Sequence, residues 1–365
     1  MFSISDINDD GDILKCVISG CNSSVVNAIR RIILSEVETV SFNTTDYQTS
    51  DLIVIKNASS LHNEFLLHRI GLIPINIPDI SSFNPDKYKF ILKKQNNDNG
   101  TVDVTTSDFV VKNLETGKDE DTSVFFPPNK ITGDNILITI LKSNPTGDGE
   151  IIHIEGKCSI GSGNDNSRFS PVSNVVFINK RDEVKAKQAF TDKINSMDHK
   201  PTDTELITLT RKFELEEADR HFIVDENGSP NVFDFTIETV GVISPTNIMK
   251  LAIKKLIDKL NLFVRNLALA LDSKNSDVSI RDSESLMDGF DITIEQETHT
   301  LGFLLQTYIN KLNKNTFIGY MNPHPLEKKI KIRINITDIN QLKTVIETTV
   351  SYLVDALNNI LSKLN

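Results

Sequence analysis

The sequence predicts an α+β protein made of two related modules, the first interrupted by an inserted, mainly β domain. Three observations carry that expectation. The order strand, short helix, strand, long striped helix occurs twice along the 365 residues. Between about 45 and 178 short β-rich runs alternate with Asn/Asp/Gly turns, and the second occurrence has nothing comparable. A chain of 365 residues is also too long for one ordinary hydrophobic core, so two or three are expected. An internal duplication with one decorated copy accounts for all three. The boundaries expected are a first module from 1–45 with 179–271, the insertion at 46–178, a linker at 272–289 and a second module at 290–365.

Residues 2–7 and 12–19 read as two strands around Asp9-Asp10-Gly11, a hairpin signal. Asn22 or Ser23 offers an N-cap, and the helix that follows sets Val26, Ile29, Ile33 and Val37 on one stripe. In the insertion, the runs 51–57, 88–94, 102–106, 135–143 and 150–160 have the β-branched and aromatic content of strands. Residues 180–230 are charged and loosely helical, and DENGSPN at 225–231 closes them with turn chemistry. A strand at 232–241 leads into a long helix opened by Ser244 and Pro245. Proline suits the first helical position because the N–H it lacks would be unpaired there. The stripe of this helix is Ile248, Ala252, Leu256, Leu260, Phe263 and Leu267.

Beyond the linker the same grammar returns. A strand at 289–297 precedes a helix at 299–312, a strand within 324–337 and a long helix over about 339–363. Leu342, Ile346, Val350, Leu353, Leu357, Ile360 and Leu364 follow one another at spacings of four and three, a heptad-like seam. A small sheet leaves such a stripe only partly covered within one copy. Two copies packed helix to helix would bury both stripes, over on the order of 1,600 Å². The alternative is that each stripe packs on its own sheet.

Composition narrows the function. Hydrophobic residues make up 39% and charged residues 24%, neither a disordered acidic tail nor a membrane protein. With 39 Lys+Arg against 50 Asp+Glu the net charge is −11, which disfavours a phosphate-gripping role without excluding a local basic patch. Cys16, Cys21 and Cys158 are too few for a disulfide framework or a four-thiolate metal site. The acidic N-terminus lacks the basic and apolar regions of a leader, and no run nears the roughly 20 apolar residues of a membrane span. A reducing, soluble compartment is expected, with no membrane partner.

The run NAIRRIILSEVETVSF at 27–42, followed by FLLHRIGLIPI at 65–75, resembles the α-like subunits of DNA-dependent RNA polymerase. That family includes the bacterial α subunit's N-terminal domain and the third subunit of the eukaryotic enzymes. Residues 150–177 and 233–260 resemble the return from that subunit's inserted domain and its closing strand and helix. Residues 298–334 are similar to the small α-like partner, the eleventh subunit, with His299-Thr300-Leu301-Gly302 and His324-Pro325-Leu326 as landmarks. No matching motif falls in 76–149 or 180–230. The resemblance implies a non-catalytic scaffold in which two α-like dimerisation modules, fused in one chain, form an intramolecular pseudodimer. It would be the platform for the two large catalytic subunits and small accessory subunits, touching nucleic acid only through the complex. Fused α-like subunits resemble the arrangement in large nucleocytoplasmic DNA viruses, which implies a viral factory in the host cytoplasm, or a nucleus if the chain is cellular.

Site residues follow from the same match. Arg30 and Arg31 read either as solvated arginines or, by resemblance, as contacts to the large subunits, Arg31 matching the second of the family's pair. Asn27, His68, Arg69 and Gly71 also match; the last three suit a packed, hydrogen-bonded turn, and the resemblance adds His68 and Arg69 to the large-subunit docking residues. Asp6–Gly11 fits half of an EF-hand loop, but Val17 stands where a bidentate Glu is required. Some relatives bind zinc or an iron–sulfur cluster in the inserted domain; here that domain has only Cys158, inside an expected strand. The seven histidines show no metal-ligand spacing, so no metal or cofactor is expected. Asn166, Ser167 and Arg168 replace a His-Ala-Lys run of relatives, which puts a partner contact there in doubt. A free-standing nucleic-acid-binding regulator on the same fold is the competing reading, its best support being KKIKIR at 328–333.

Overall fold

A computed structural model of the chain describes residues 2–144, 147–197, 201–272, 274–283, 288–314 and 316–364. His199, and residues 273 and 284–287 of the expected linker, lie outside the described residues. The chain begins with strands β1 (Ser3–Asp9) and β2 (Ile13–Ser19), helix α1 (Ser23–Ser35), strands β3 (Glu38–Ser41) and β4 (Leu52–Asn57) and helix α2 (Asn63–Gly71). There follow β5 (Tyr88–Gln95), β6 (Val102–Thr105), β7 (Phe109–Asn113), β8 (Asp119–Glu120), the single turn α3 (Thr122–Phe125), β9 (Leu137–Leu141), β10 (Ile151–Gly156), β11 (Ser159–Ser162) and β12 (Val172–Asn179). Next come α4 (Glu183–Asn195), α5 (Asp203–Glu216), β13 (Val232–Thr239) and α6 (Pro245–Leu271). The last stretch holds β14 (Val278–Asp282), β15 (Phe290–Glu295), α7 (His299–Leu312), β16 (Ile318–Met321), β17 (Lys329–Ile334) and α8 (Ile339–Lys363). The result is mixed α+β with several small antiparallel sheets.

The chain divides into two compact units, Met1–Ile32 with Asn174–Ile237 and Met249–Asn365, and Ile33–Ser173 with Glu238–Ile248. The second unit thus begins before the expected insertion, at Ile33 rather than 46, ends short of it, at Ser173 rather than 178, and takes in Glu238–Ile248 as well.

In the first unit the β1–β2 hairpin turns at Gly11, whose φ of +95° is open to glycine. Asp10 Oδ1 accepts the Asp12 and Ile13 N–H groups at 3.0 and 2.7 Å, so the acidic run builds a turn. Two four-stranded sheets form, ordered β1-β2-β13-β12 and β14-β15-β17-β16. Counted within each sheet, both run first, second, fourth, third strand, with a helix between second and third and a long helix after the fourth. The expected linker is therefore corrected in part: Val278–Asp282 is a paired edge strand, and Val278 is buried because it faces the sheet's packed side. Also beyond the sequence reading, β16 pairs with β17 as a hairpin. The long-helix stripes are buried throughout: Ala252, Leu256, Leu260, Phe263 and Leu267 on α6, and Leu342, Ile346, Val350, Leu353, Leu357 and Ile360 on α8. The charged stretch 180–230 folds as α4 and α5 around Ala186, Phe213 and Ala218, joined by a two-pronged Arg181–Glu214 ion pair at 2.7 and 2.9 Å.

In the second unit a five-stranded antiparallel sheet, β4-β10-β5-β7-β8, lays one face on a core that includes Phe42, Phe90, Phe109, Phe125 and Phe126. Helix α2 adds Leu66, Leu67 and Ile70 to that core. The run 150–160 is not one strand: it breaks after Gly156, and β11 pairs with β3 in a separate sheet. A Cβ at Gly156 would lie 2.0 Å from the Asp51 carbonyl oxygen, so the break passes where only glycine fits. Cys158 consequently sits buried between two strands rather than inside one.

Candidate functional site

On α1 the spacing Ser24, Asn27, Arg31 sets three polar side chains on one face, and that face meets the first turn of α7. Arg31 Nε donates to Thr300 Oγ1 at 2.8 Å. Arg30 instead turns back along its own helix, its Nε and Nη2 donating to Asn27 Oδ1 at 3.1 and 3.0 Å. The paired arginines are both half-buried yet do different things. Beside Arg31 is a cavity of about 80 Å³, walled also by Ser24, Asn27, His299, Thr300, Phe303 and Tyr320. Ser24 is 2% exposed and its hydroxyl has no hydrogen-bond partner among the described residues.

The landmarks of the second half build the other wall. Thr298 caps α7 by accepting the Thr300 N–H. A Cβ on Gly302 would come within 2.6 Å of the Tyr320 ring, so glycine lets the helix lie on that tyrosine. His299 meets the same ring edge to face at 5.7 Å. His324 and Pro325 stand apart, in an exposed turn between β16 and β17 where His324 Nδ1 accepts the Leu326 N–H.

Further contacts join the two halves of the first unit. The fully buried Tyr308 accepts the Asn22 N–H on its hydroxyl at 3.1 Å, and burial pushes its phenol far above the usual range. Phe2 packs edge-on against Tyr308 and Tyr352, with ring centres 5.7 and 6.1 Å apart. Asn359 Nδ2 donates to the Phe2 carbonyl at 2.6 Å, and Lys259 pairs with Glu297 at 3.1 Å.

His68, Arg69 and Gly71 belong to the other unit, and the expected turn is a helix, α2. Arg69 Nε and Nη2 donate to the Ile138 and Leu137 carbonyls at 3.0 and 3.2 Å, an internal brace. His68 is exposed and borders an open cavity of about 590 Å³ with Tyr47 and Phe65. Gly71 is required by Arg168 and Thr44, whose polar atoms lie 2.3 Å from where its Cβ would be. Arg168, noted in the sequence only as a departure from relatives, donates to the Phe42 carbonyl at 2.8 Å and to Thr44 Oγ1 at 2.5 Å. No signal in the sequence singles it out.

Other candidates resolve into structure. Among the described residues no group of three or more His, Cys, Asp or Glu is placed to hold a metal. Burial pushes the thiols of Cys16, Cys21 and Cys158 up to about 12. In KKIKIR, Lys331 and Arg333 pair with Asp291 at 2.8 and 2.6 Å and Lys329 pairs with Glu327. No helix among the described residues is long and apolar enough to cross a membrane.

Small antiparallel sheets carrying long amphipathic helices place the chain in the mixed α+β class, with polar and aromatic contacts between its N-terminal segment and residues 290–364. The chain belongs to the RNA polymerase Rpb3/Rpb11 dimerisation domain family, whose description matches residues 15–260 and, in a second model, residues 290–363. It is 26% identical over 292 residues to the DNA-directed RNA polymerases I and III subunit rpac1 of Dictyostelium discoideum, covering 72% of this chain and 80% of that protein. Against DNA-directed RNA polymerase subunit Rpo3 of Pyrococcus furiosus it is 26% identical over 274 residues, 70% of this chain and 93% of that one. A conjugation stage-specific protein of Tetrahymena thermophila is 29% identical over 178 residues, 43% of this chain and 54% of that protein, so the chain spans about half of that relative's length.

Proposed function

We propose that this chain is a non-catalytic scaffold subunit of a multisubunit DNA-directed RNA polymerase, in which residues 1–271 and 290–365 act as the two halves of an intramolecular dimer. The observation that carries the reading is the double family match on one chain, at 15–260 and 290–363, together with the Arg31–Thr300 and Asn22–Tyr308 bonds that join the matched segments. Residues 33–173 would then decorate the first half. Covalent linkage keeps the halves at an effective concentration on the order of millimolar and sets their ratio at one to one.

In this reading the half-buried Arg30 and Arg31 contact a large subunit beside the α1–α7 joint, with His68 and Arg69 as further contacts. Arg69 also braces its own unit. A viral factory as the place of action rests on the fused arrangement alone. The competing regulator reading is weakened because three cations of its basic run are already ion-paired, Lys329 with Glu327 and both Lys331 and Arg333 with Asp291.

The test is affinity purification of the tagged chain from its native cells. The two large polymerase subunits should accompany it in stoichiometric amounts, and Arg31→Glu should weaken retention of the second-largest subunit by about tenfold or more. Recovery of the chain alone, with a steeply salt-dependent affinity for DNA, would favour the regulator instead.

A further inference from the structure

The five-stranded sheet of the second unit packs only one face on its core, with Phe90, Leu92, Val111, Ile152 and Ile154 pointing inward. Alternation along each strand assigns the other residues to the opposite face, and the cross-strand register reads that face row by row. In one row Lys56 lies opposite His153, which lies opposite Lys93. In the next, Ile53 faces Glu155, Glu155 faces Ile91, and Ile91 faces Val110. In the third, Lys89 faces Lys112, which faces Asp119.

This face has two properties that a solvated sheet surface does not need. Its lysines outnumber its carboxylates, although the chain as a whole carries −11. Glu155 is already shared between Lys89 and His153, and Lys56, Lys93 and Lys112 make no ion pair among the described residues. Lys112 stands directly opposite Lys89, whose charge is offset by Glu155, so Lys112 is the cation of that pair left for an anionic partner. The face is also apolar where it is most open: Ile53 is 68% exposed, Ile55 at the β4 bulge 54% and Val110 40%. The three rows contain no Phe, Tyr or Trp, the platforms on which nucleic-acid bases stack, and their one ring, His153, is held by Glu155 at 2.8 Å. β4 is the end strand of its sheet, where an extended segment can lie alongside.

We propose that this face docks an acidic, aliphatic segment of a partner polypeptide, extended along β4. Its carboxylates lie over Lys56, Lys93 and Lys112, and its apolar side chains rest on Ile53, Ile55 and Val110. The surface shares no residue with the Arg31 joint, and the inference does not depend on what the large partners are.

The test is photo-crosslinking in the complex purified through the tagged full-length chain. Benzoylphenylalanine replaces Ile53, and in a control chain it replaces Leu215, an exposed residue of α5 (77%). The expected result is a crosslink from position 53 to one segment of net negative charge, reduced about fivefold or more by Lys56→Glu with Lys93→Glu. The milder Lys56→Gln with Lys93→Gln should reduce it by less, which separates charge from misfolding. Labelling no greater than from position 215, a crosslink to nucleic acid, a target without net negative charge, or a yield unchanged by charge reversal would each overturn the proposal. A crosslinked acidic segment in a complex lacking polymerase subunits would uphold the docking face and defeat the scaffold reading.

Discussion

Asp291 shows how one residue can anchor a sheet. It is 3% exposed on β15, and opposite it on β17 stands Arg333, whose Nε and Nη2 donate to its two oxygens at 2.6 and 2.7 Å. Those hydrogen bonds, aided by Lys331 and opposed by burial, lower its carboxyl to about 2. Because the folded value lies below the unfolded one, its stabilisation is complete above roughly pH 4 and is lost as pH falls through about 2. Asp291→Asn should therefore cost on the order of 1–2 kcal/mol at pH 7, the partners' partial exposure moderating the loss, and much less near pH 2. Urea unfolding of both chains at several pH values measures that convergence. At Gly302 the constraint is steric. Gly302→Ala should destabilise by about 1–3 kcal/mol because the new methyl meets the Tyr320 ring. Gly319→Ala, whose Cβ would have its nearest neighbour at 3.9 Å, should change stability far less in the same assay.

Elements differ in how far local pattern specifies them. Helices α7 and α8 begin and end where their stripes and caps indicate, with Thr298 and Asp338 accepting N–H groups of the first turn. Strand β14 escaped because its Asp and Ser residues read as linker chemistry, while its pairing with β15 is a long-range fact. The distinction is measurable. Val278→Asp puts a charge at a buried position of that edge strand, so it should cost about 2 kcal/mol or more and speed proteolytic cutting near 278–282. A true linker would tolerate the change. Helix α2 went unread for a related reason: nine residues within a β-rich stretch supply too short a period to outweigh their surroundings.

At the scale of the molecule, the repeated sheet order and the contacts between halves make the internal-dimer proposal directly testable. Residues 1–272 and 274–365 expressed as two chains should associate one to one and co-purify. Their melting temperature should rise with concentration, unlike that of the intact chain, because linkage no longer supplies the partner. Failure of the two chains to associate would count against the proposal. The Arg31–Thr300 and Asn22–Tyr308 bonds are the contacts whose loss the separated chains would have to compensate.

The sequence by itself determined the long striped helices and the strands that alternate clearly, and which of their faces are apolar. Those properties repeat every two or three to four residues and need no knowledge of a neighbour. It also carried the family resemblance, since motifs such as NAIRR and HTLG are contiguous. Only the tertiary structure decided what each face meets. It alone separates Arg30, bonded within its own helix, from Arg31, which reaches a threonine 269 residues away. It divides 150–160 between two sheets, and through cross-strand register it gathers Lys56, Lys93 and Lys112 on one surface. Periodicity specifies that a side must be covered, but the covering partner is a matter of long-range pairing that no local pattern encodes.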